Sequence, residues 1–486
     1  MNRTINKWLL LFIVSSAIFL SVIDLFIVNV ALPSIKEGIK GSDGDIQLVI
    51  VLYVIGYAAF LVMGGRAGDH FGKRRVFISG ILIFTLASCT GGFAQNAWQL
   101  NISRLAQGVS AAFMVPQGVA FIPIIFPEPK EREKALGIYG SIAGTASVIG
   151  QFLGGILPDT HLLIAGWRLI FLINLPVGLV AAFLAYRFLN DDKRDRRAKK
   201  KGSPQSLTQD DNFQIPEKPF FNIWGVLLLM LTLIAFIYPL IQGRELNWPG
   251  WSILLLLSSI PLLFAFIYNQ QKCLRLKKEP LINFSLFNNR YFVIGLLAAV
   301  FYYMVQDSYF LINAMHLQNG LHISSSTTGI YFVFQGLGYV VASFLSIKLV
   351  LRFGKWVLIT GVFFMITSLL LHLLVLQGDP QITMVLPVLF VYGMGCGSVL
   401  PTMFTMSLKN IAPQLAGSAS GLYLTIQQVS IALGVGIIGG IFFNLLGSDA
   451  ASPYDAYRIA TMANIGLLVF VALICFLFPS HRSTDQ

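Results

Sequence analysis

The chain has 486 residues, of which 56% are hydrophobic and 12% charged, with mean hydropathy +0.73. Soluble domains carry about 25% charged residues, so this composition cannot cover a water-facing surface and excludes a soluble enzyme, a nucleic-acid binder and a disordered scaffold. The net charge of +12 therefore bears on membrane topology rather than on polyanion binding.

Apolar runs of about 20 residues, enough to cross a bilayer, recur along the whole chain. They fall near 8–32, 46–65, 76–95, 98–125, 135–157, 166–189, 221–241, 251–270, 290–313, 325–350, 356–377, 382–408, 415–445 and 456–478, fourteen in all. The first follows a short basic start, lacks a small-residue cleavage site and is interrupted by Asp24. It reads as a retained span rather than a leader. An even count puts both termini on one side. Of 34 Lys and Arg residues, 28 fall on that side, five on the other, and Arg104 lies inside a span. The positive-inside rule makes the termini cytoplasmic. The longest polar stretch, 190–220, is a basic cytoplasmic linker that reads as a solvated topology signal.

The four cysteines, Cys89, Cys273, Cys396 and Cys475, have no metal-ligand spacing, and the six histidines form no HExxH. No phosphate-binding glycine loop precedes Gly72-Lys73 or Gly354-Lys355, since Ala67 and Leu349 stand where its first glycine belongs. No ATP drive, cofactor or catalytic set is expected, and the protein is not expected to be an enzyme.

Two markers recur at matched spacing. Asp24 in span 1 is followed by Asn29, and Asp307 in span 9 by Asn313. Phe71-Gly72-Lys73 follows Asp24 by 48 residues to its glycine, and Phe353-Gly354-Lys355 follows Asp307 by 47. Two related halves around a central site are expected, as in secondary transporters. The expected organisation is a six-helix bundle at 1–189, the linker at 190–220, two inserted helices at 221–270, a cytoplasmic connector at 271–289 and a second six-helix bundle at 290–486.

Intramembrane charges are costly and mark functional positions. Asp24, Asp307 and Arg104 are the candidates here. A buried carboxylate can hold a proton or a cationic substrate, but not both comfortably, and that competition suffices for antiport. Tyr303 lies one helical turn from Asp307 and shares its face. An aromatic face there attracts organic cations. With Asn29, Gln107 and Gln335 it is a candidate for lining a cavity. Gly150, Gly154 and Gly155 in span 5 allow close helix packing.

Four segments resemble the fourteen-span drug/proton antiporter branch of the major facilitator superfamily. Asp24-Leu-Phe-Ile-Val-Asn-Val-Ala-Leu-Pro33 is similar to that branch's span 1 pattern, with Phe26 in place of a threonine. Gly65-Arg-Ala-Gly-Asp-His-Phe-Gly-Lys-Arg-Arg75 resembles the superfamily's loop between spans 2 and 3, departing at Ala67 and His70. Leu100, Arg104, Gln107 and Gly108 match the span 4 pattern. Gly137, Gly150, Gly154 and Gly155 match the antiporter glycines of span 5, where Ala146 and Gln151 depart and Gln151 stands in the place of a proline.

The resemblance implies an all-α polytopic membrane protein with the major facilitator fold: fourteen transmembrane helices, as two six-helix bundles plus two extra helices. It implies a bacterial inner-membrane exporter of amphipathic, often cationic molecules, driven by the proton gradient. Arg104 would take part in proton coupling, and Gly65, Asp69, Gly72, Lys73 and Arg74 would form a cytoplasmic gate. The partners expected are a small-molecule substrate, protons and the lipid bilayer, with the chain a monomer and accessory export proteins optional. An exporter of one endogenous metabolite or lipid and an inward proton symporter remain the alternatives.

Overall fold

The computed structural model describes residues 6–160, 164–189, 222–276, 278, 280–377, 381–409, 411, 415–447 and 452–478. The expected linker at 190–220 lies outside them. Among the described residues, fourteen helices are long and apolar enough to span a membrane. They are α1 (Lys7–Ile39), α2 (Asp43–Phe71), α3 (Lys73–Gly92), α4 (Ala97–Ile125), α5 (Pro129–Ile156), α6 (Gly166–Phe188) and α7 (Ile223–Gly243). The others are α8 (Gly250–Arg275), α9 (Arg290–Gly320), α10 (Ser325–Phe353), α11 (Lys355–Val375), α12 (Ile382–Ser407), α13 (Ala416–Leu446) and α14 (Pro453–Phe476).

The fourteen expected spans are all present, but several helices outrun them. Apolar windows stop where polar side chains reach the membrane surface, whereas backbone hydrogen bonding continues to a cap. Thus α1 passes through Pro33 to Ile39 and ends at Lys40, which is left-handed at φ 50°. Ser42 and Asp45 form a capping box that starts α2. Helix α6 is interrupted at Ile173, between Leu172 and Asn174. Pro176 explains the break, because its ring excludes the carbonyl four residues earlier and it donates no backbone hydrogen bond.

The helix pairings repeat. Helix α1 packs on α5, α2 on α4, and α3 on α4 and α6; likewise α9 packs on α13, α10 on α12, and α11 on α12 and α14. The two sets meet along α1–α9, α2–α13 and α5–α10. Helix α7 packs on α2 and α8, so the inserted pair sits at the margin beside the α2–α13 seam.

Gly72 is shared between the end of α2 and the start of α3 at φ 96°, ψ 125°, and Gly354 joins α10 to α11 at φ 52°, ψ −125°. Neither conformation suits an L side chain. Gly72→Ala and Gly354→Ala are each expected to cost about 1–3 kcal/mol, read as a lower thermal midpoint in detergent. An unchanged midpoint would show that the turns relax without glycine.

These two turns define one end of the bundle, the near end. The α1–α2 and α7–α8 loops mark the far end. The α5–α10 seam is tight at the far end and parts towards the near end. A Cβ on Gly155 would stand 2.6 Å from the Ser325 carbonyl oxygen and 2.7 Å from the Gly329 Cα. On the same face of α5, one at Gly144 would meet Val340 only at 3.9 Å, and ones at Gly140 and Gly137 would meet nothing within 4 Å among the described residues. The α2–α13 seam loosens in the same sense, from 2.5 Å at Gly439 against Gln47 to 3.6 Å at Gly421 against Val62. Contacts at the far end hold the two sets together: Asp159 accepts from the Ser326 backbone N–H at 2.9 Å, and the Ser34 and Ser325 hydroxyls lie 3.3 Å apart.

Candidate functional site

Asp24 and Arg104 form an ion pair that is fully buried, with Nη1 2.5 Å from Asp24 Oδ2. Asp24 comes from the middle of α1 and Arg104 from the second turn of α4. Every other contact of the pair supports it. Gln107 Nε2 and Asn174 Nδ2 each donate to Asp24 Oδ1 at 2.9 Å. Arg104 donates from Nη1 to Gln107 Oε1 at 2.8 Å and from Nε to the Val49 carbonyl at 3.0 Å. Its guanidinium lies 4.6 Å from the Tyr53 ring centre and 5.9 Å from that of Phe171. Ser88 accepts from Asn174 at 3.0 Å and donates to the Phe171 carbonyl at 2.8 Å. The cluster thus ties α1, α2, α3, α4 and α6 together around one neutralised pair.

Asp307, in α9, is placed differently. It is 4% exposed, and its hydrogen-bond partner among the described residues is Asn29 Nδ2 of α1, at 3.1 Å. The bond crosses the seam between the two helix sets, and Asn29 Oδ1 is buried without a partner among the described residues. No ion pair of Asp307 exists among the described residues. A carboxylate buried without a cation carries an uncompensated desolvation cost. A proton or an organic cation removes it. The two carboxylates therefore do not share a site: one is spent within the first helix set, the other stands at the junction of both.

The remaining candidates divide between these places. Asn29 holds Asp307, whereas Gln107 of α4 is fully buried as a partner of Asp24 and Arg104. Tyr303 is 2% exposed, and its ring centre stands 5.1 Å from that of Tyr302 and 6.2 Å from that of Tyr423. Gln335 is 4% exposed, and its Oε1 has no partner among the described residues. Gln151, in the place of the antiporter proline, is buried facing α10, with its Oε1 3.2 Å from where a Cβ on Gly336 would be.

At the near end, Gly65 faces Pro116, and Asp69 reaches Lys73 Nζ at 3.6 Å across the Gly72 break. Arg74 donates to the Tyr186 carbonyl and covers its ring at 5.0 Å. Gly150 and Gly154 seat α5 on α1, with added Cβ atoms 2.8 Å and 2.4 Å from the Ile23 and Ile27 carbonyl oxygens, while Gly155 seats α5 on α10.

Sequence reasoning did not single out Asn174, Ser88 or Tyr53. Asn174 had a readable signal, a lone amide deep in span 6 beside Pro176; Ser88 and Tyr53 had none. A second polar cluster in the other helix set was also missed. The Tyr309 hydroxyl lies 3.2 Å from His372 Nε2, His372 Nδ1 donates to the Ser368 carbonyl at 2.7 Å, and the Tyr309 and Tyr392 rings stack at 3.9 Å.

A family model described as Major Facilitator Superfamily matches residues 14–288 and 295–486. The chain is 32% identical over 454 residues to a probable actinorhodin transporter of Streptomyces coelicolor, covering 93% of this chain and 75% of that one. It is 30% identical to the puromycin resistance protein pur8 of Streptomyces alboniger, covering 98% and 92%. It is 26% identical to the riboflavin transporter RibZ of Clostridioides difficile, covering 99% of each. Among solved structures, a bacterial homologue of the lysosomal transporter Spinster, inward-facing and unoccupied, superposes with TM-score 0.68 at 17% identity, covering 98% of this chain and 97% of that one.

Proposed function

Because the chain belongs to the major facilitator superfamily and is a multi-pass membrane transporter rather than an enzyme, we propose that it exports small amphipathic molecules across a bacterial inner membrane in exchange for protons. The near end is then the cytoplasmic end, a reading that the distribution of Lys and Arg supports, and on that reading the splayed seams correspond to an inward-open state. The observation that carries the reading is the Asn29–Asp307 hydrogen bond across the seam. A proton arriving from outside would neutralise Asp307 and release a bound cation. Its loss to the cytoplasm would restore the charge that the next cation pairs with. Asp24 serves as a positioning residue, since Arg104 already neutralises it and Asn29 lies on the same helix five residues further along. The names of the relatives, which include a probable actinorhodin transporter, a puromycin resistance protein and a multidrug resistance protein, support export and the broad substrate class.

A second reading, export of one ring-rich metabolite, is favoured by the uncharged amide and tyrosine side chains around Asp307 and by the likeness to a riboflavin transporter. Proteoliposomes with an imposed pH gradient separate the two. Wild type is expected to accumulate ethidium under the gradient, Asp307→Asn to lose that coupling, and Asp24→Asn to lose rate in proportion to folded protein. A wild type that ignores the gradient for every cation tried, but moves riboflavin, would replace the first reading by the second.

A further inference from the structure

The two inserted helices do more than fill the margin. Helix α7 ends in a single π turn, Pro239–Gly243, and the chain then reverses through Asn247 and Trp248, both left-handed at φ 58° and 55°. Consecutive positive φ values without glycine are strained, the more so at tryptophan. They accompany a reversal that sets Arg244 and Glu245 against the far end of the α2–α13 seam. Glu245 Oε2 accepts from the Ser42 hydroxyl and the Gly44 backbone N–H, both at 3.0 Å. A carboxylate is well placed at the N-terminus of α2, where unpaired N–H groups and the helix dipole favour negative charge. A Cβ on Gly44 would stand 2.2 Å from that oxygen, so a side chain there would displace Glu245.

Arg244 acts on the other side of the turn. Its Nη2 donates to Gln47 Oε1 of α2 at 3.2 Å, and Gln47 Nε2 donates across the seam to the Val435 carbonyl of α13 at 2.7 Å. The Arg244 stem lies over Gly440 of α13, its Cδ 3.5 Å from where a Cβ would be. Both ends of the Gln47 amide are thereby committed, one to the insert and one to the opposite helix set. Any opening of the far side must part α2 from α13 and break this chain of bonds.

We propose that the α7–α8 turn is a latch on the far-side gate: Glu245 fixes the turn to α2, and Arg244 orients Gln47 so that it bolts α2 to α13. Arg244 and Glu245 are positioning residues for the release step. The inference rests on alternating access as the transport mode, but its test does not need transport.

The test uses the full-length chain in lipid nanodiscs, with the four native cysteines replaced by serine. Ser34→Cys with Ser325→Cys, or Asp159→Cys with Ser326→Cys, reports far-side closure by oxidative crosslinking at sites away from the latch. Arg244→Met and Gln47→Leu attack the same bond from its two partners. Each is expected to lower the closed-to-open ratio roughly tenfold, the scale of one charge-assisted hydrogen bond, and so to cut crosslinking at both pairs. Arg244→Lys is expected to restore part of it. Unchanged crosslinking in both Arg244→Met and Gln47→Leu overturns the latch. A variant that fails to fold is identified by its thermal midpoint, and the other then decides. Ethidium uptake measured separately on wild type tests the transport reading, so the two can fail independently.

Discussion

Replacing Arg104 by methionine is expected to cost about 3–5 kcal/mol of stability, the typical penalty for stranding one partner of a buried ion pair. The geometry predicts an asymmetry between the partners. Without Arg104, Asp24 keeps two amide donors, Gln107 and Asn174, but no cation. Without the Asp24 charge, Arg104 keeps Gln107 Oε1, the Val49 carbonyl and the faces of Tyr53 and Phe171. A stranded Asp24 can also neutralise itself by taking up a proton, whereas a stranded guanidinium cannot lose one, so Asp24→Asn should be at least as costly as Arg104→Met. The double variant should recover much of the loss, because it removes both charges from a volume that solvent does not reach. Thermal unfolding of the four proteins in detergent closes the double-mutant cycle. Single losses that simply add would show that the pair contributes no coupling. Transport measured per folded molecule then separates a role in stability from one in proton coupling.

The fourteen spans were legible because a bilayer demands long apolar helices whatever the tertiary structure. Their ends were not, since caps such as Ser42 and turns such as Gly72 lie beyond the apolar windows. The charged members of the site stood out for the same reason, as few residue types are tolerated inside a membrane without purpose. What the sequence could not convey was who meets whom. Asp24 and Asp307 look equivalent at matched depths in matched halves. In three dimensions one meets Arg104 and two amides, and the other an asparagine from the opposite half. Gln107 likewise read as a cavity residue because an amide inside a span fits either role. Its pairing with Asp24 and Arg104 depends on how α4 is turned against α1. The role of the insert was invisible at sequence level, because Arg244 and Glu245 sit in what reads as an ordinary polar loop.

Two adjacent glycines offer the clearest separation of fold from function. Gly154 and Gly155 were both expected to serve helix packing, and each does so against a different partner. A Cβ on Gly154 would stand 2.4 Å from the Ile27 carbonyl oxygen of α1, within its own helix set. One on Gly155 would meet Ser325 and Gly329 of α10, across the seam. In this structure both positions are closed to a side chain. Under the proposed alternating access, however, only the second contact is released when the far side opens. Gly154→Val is therefore expected to destabilise the protein in every state by overpacking, about 1–3 kcal/mol. Gly155→Val should instead penalise the inward-open state alone and move the population outward, with a thermal midpoint closer to wild type. A Ser34→Cys reporter distinguishes them, since Ser34 pairs with Ser325 when the far side is shut. Labelling from outside by an impermeant maleimide should rise severalfold in Gly155→Val and stay near the wild-type level in Gly154→Val. Equal labelling in both would mean that the α5–α10 seam does not part during the cycle. The outward-open state would then have to arise by rotation about that seam, leaving Gly155 and Gly329 in contact throughout.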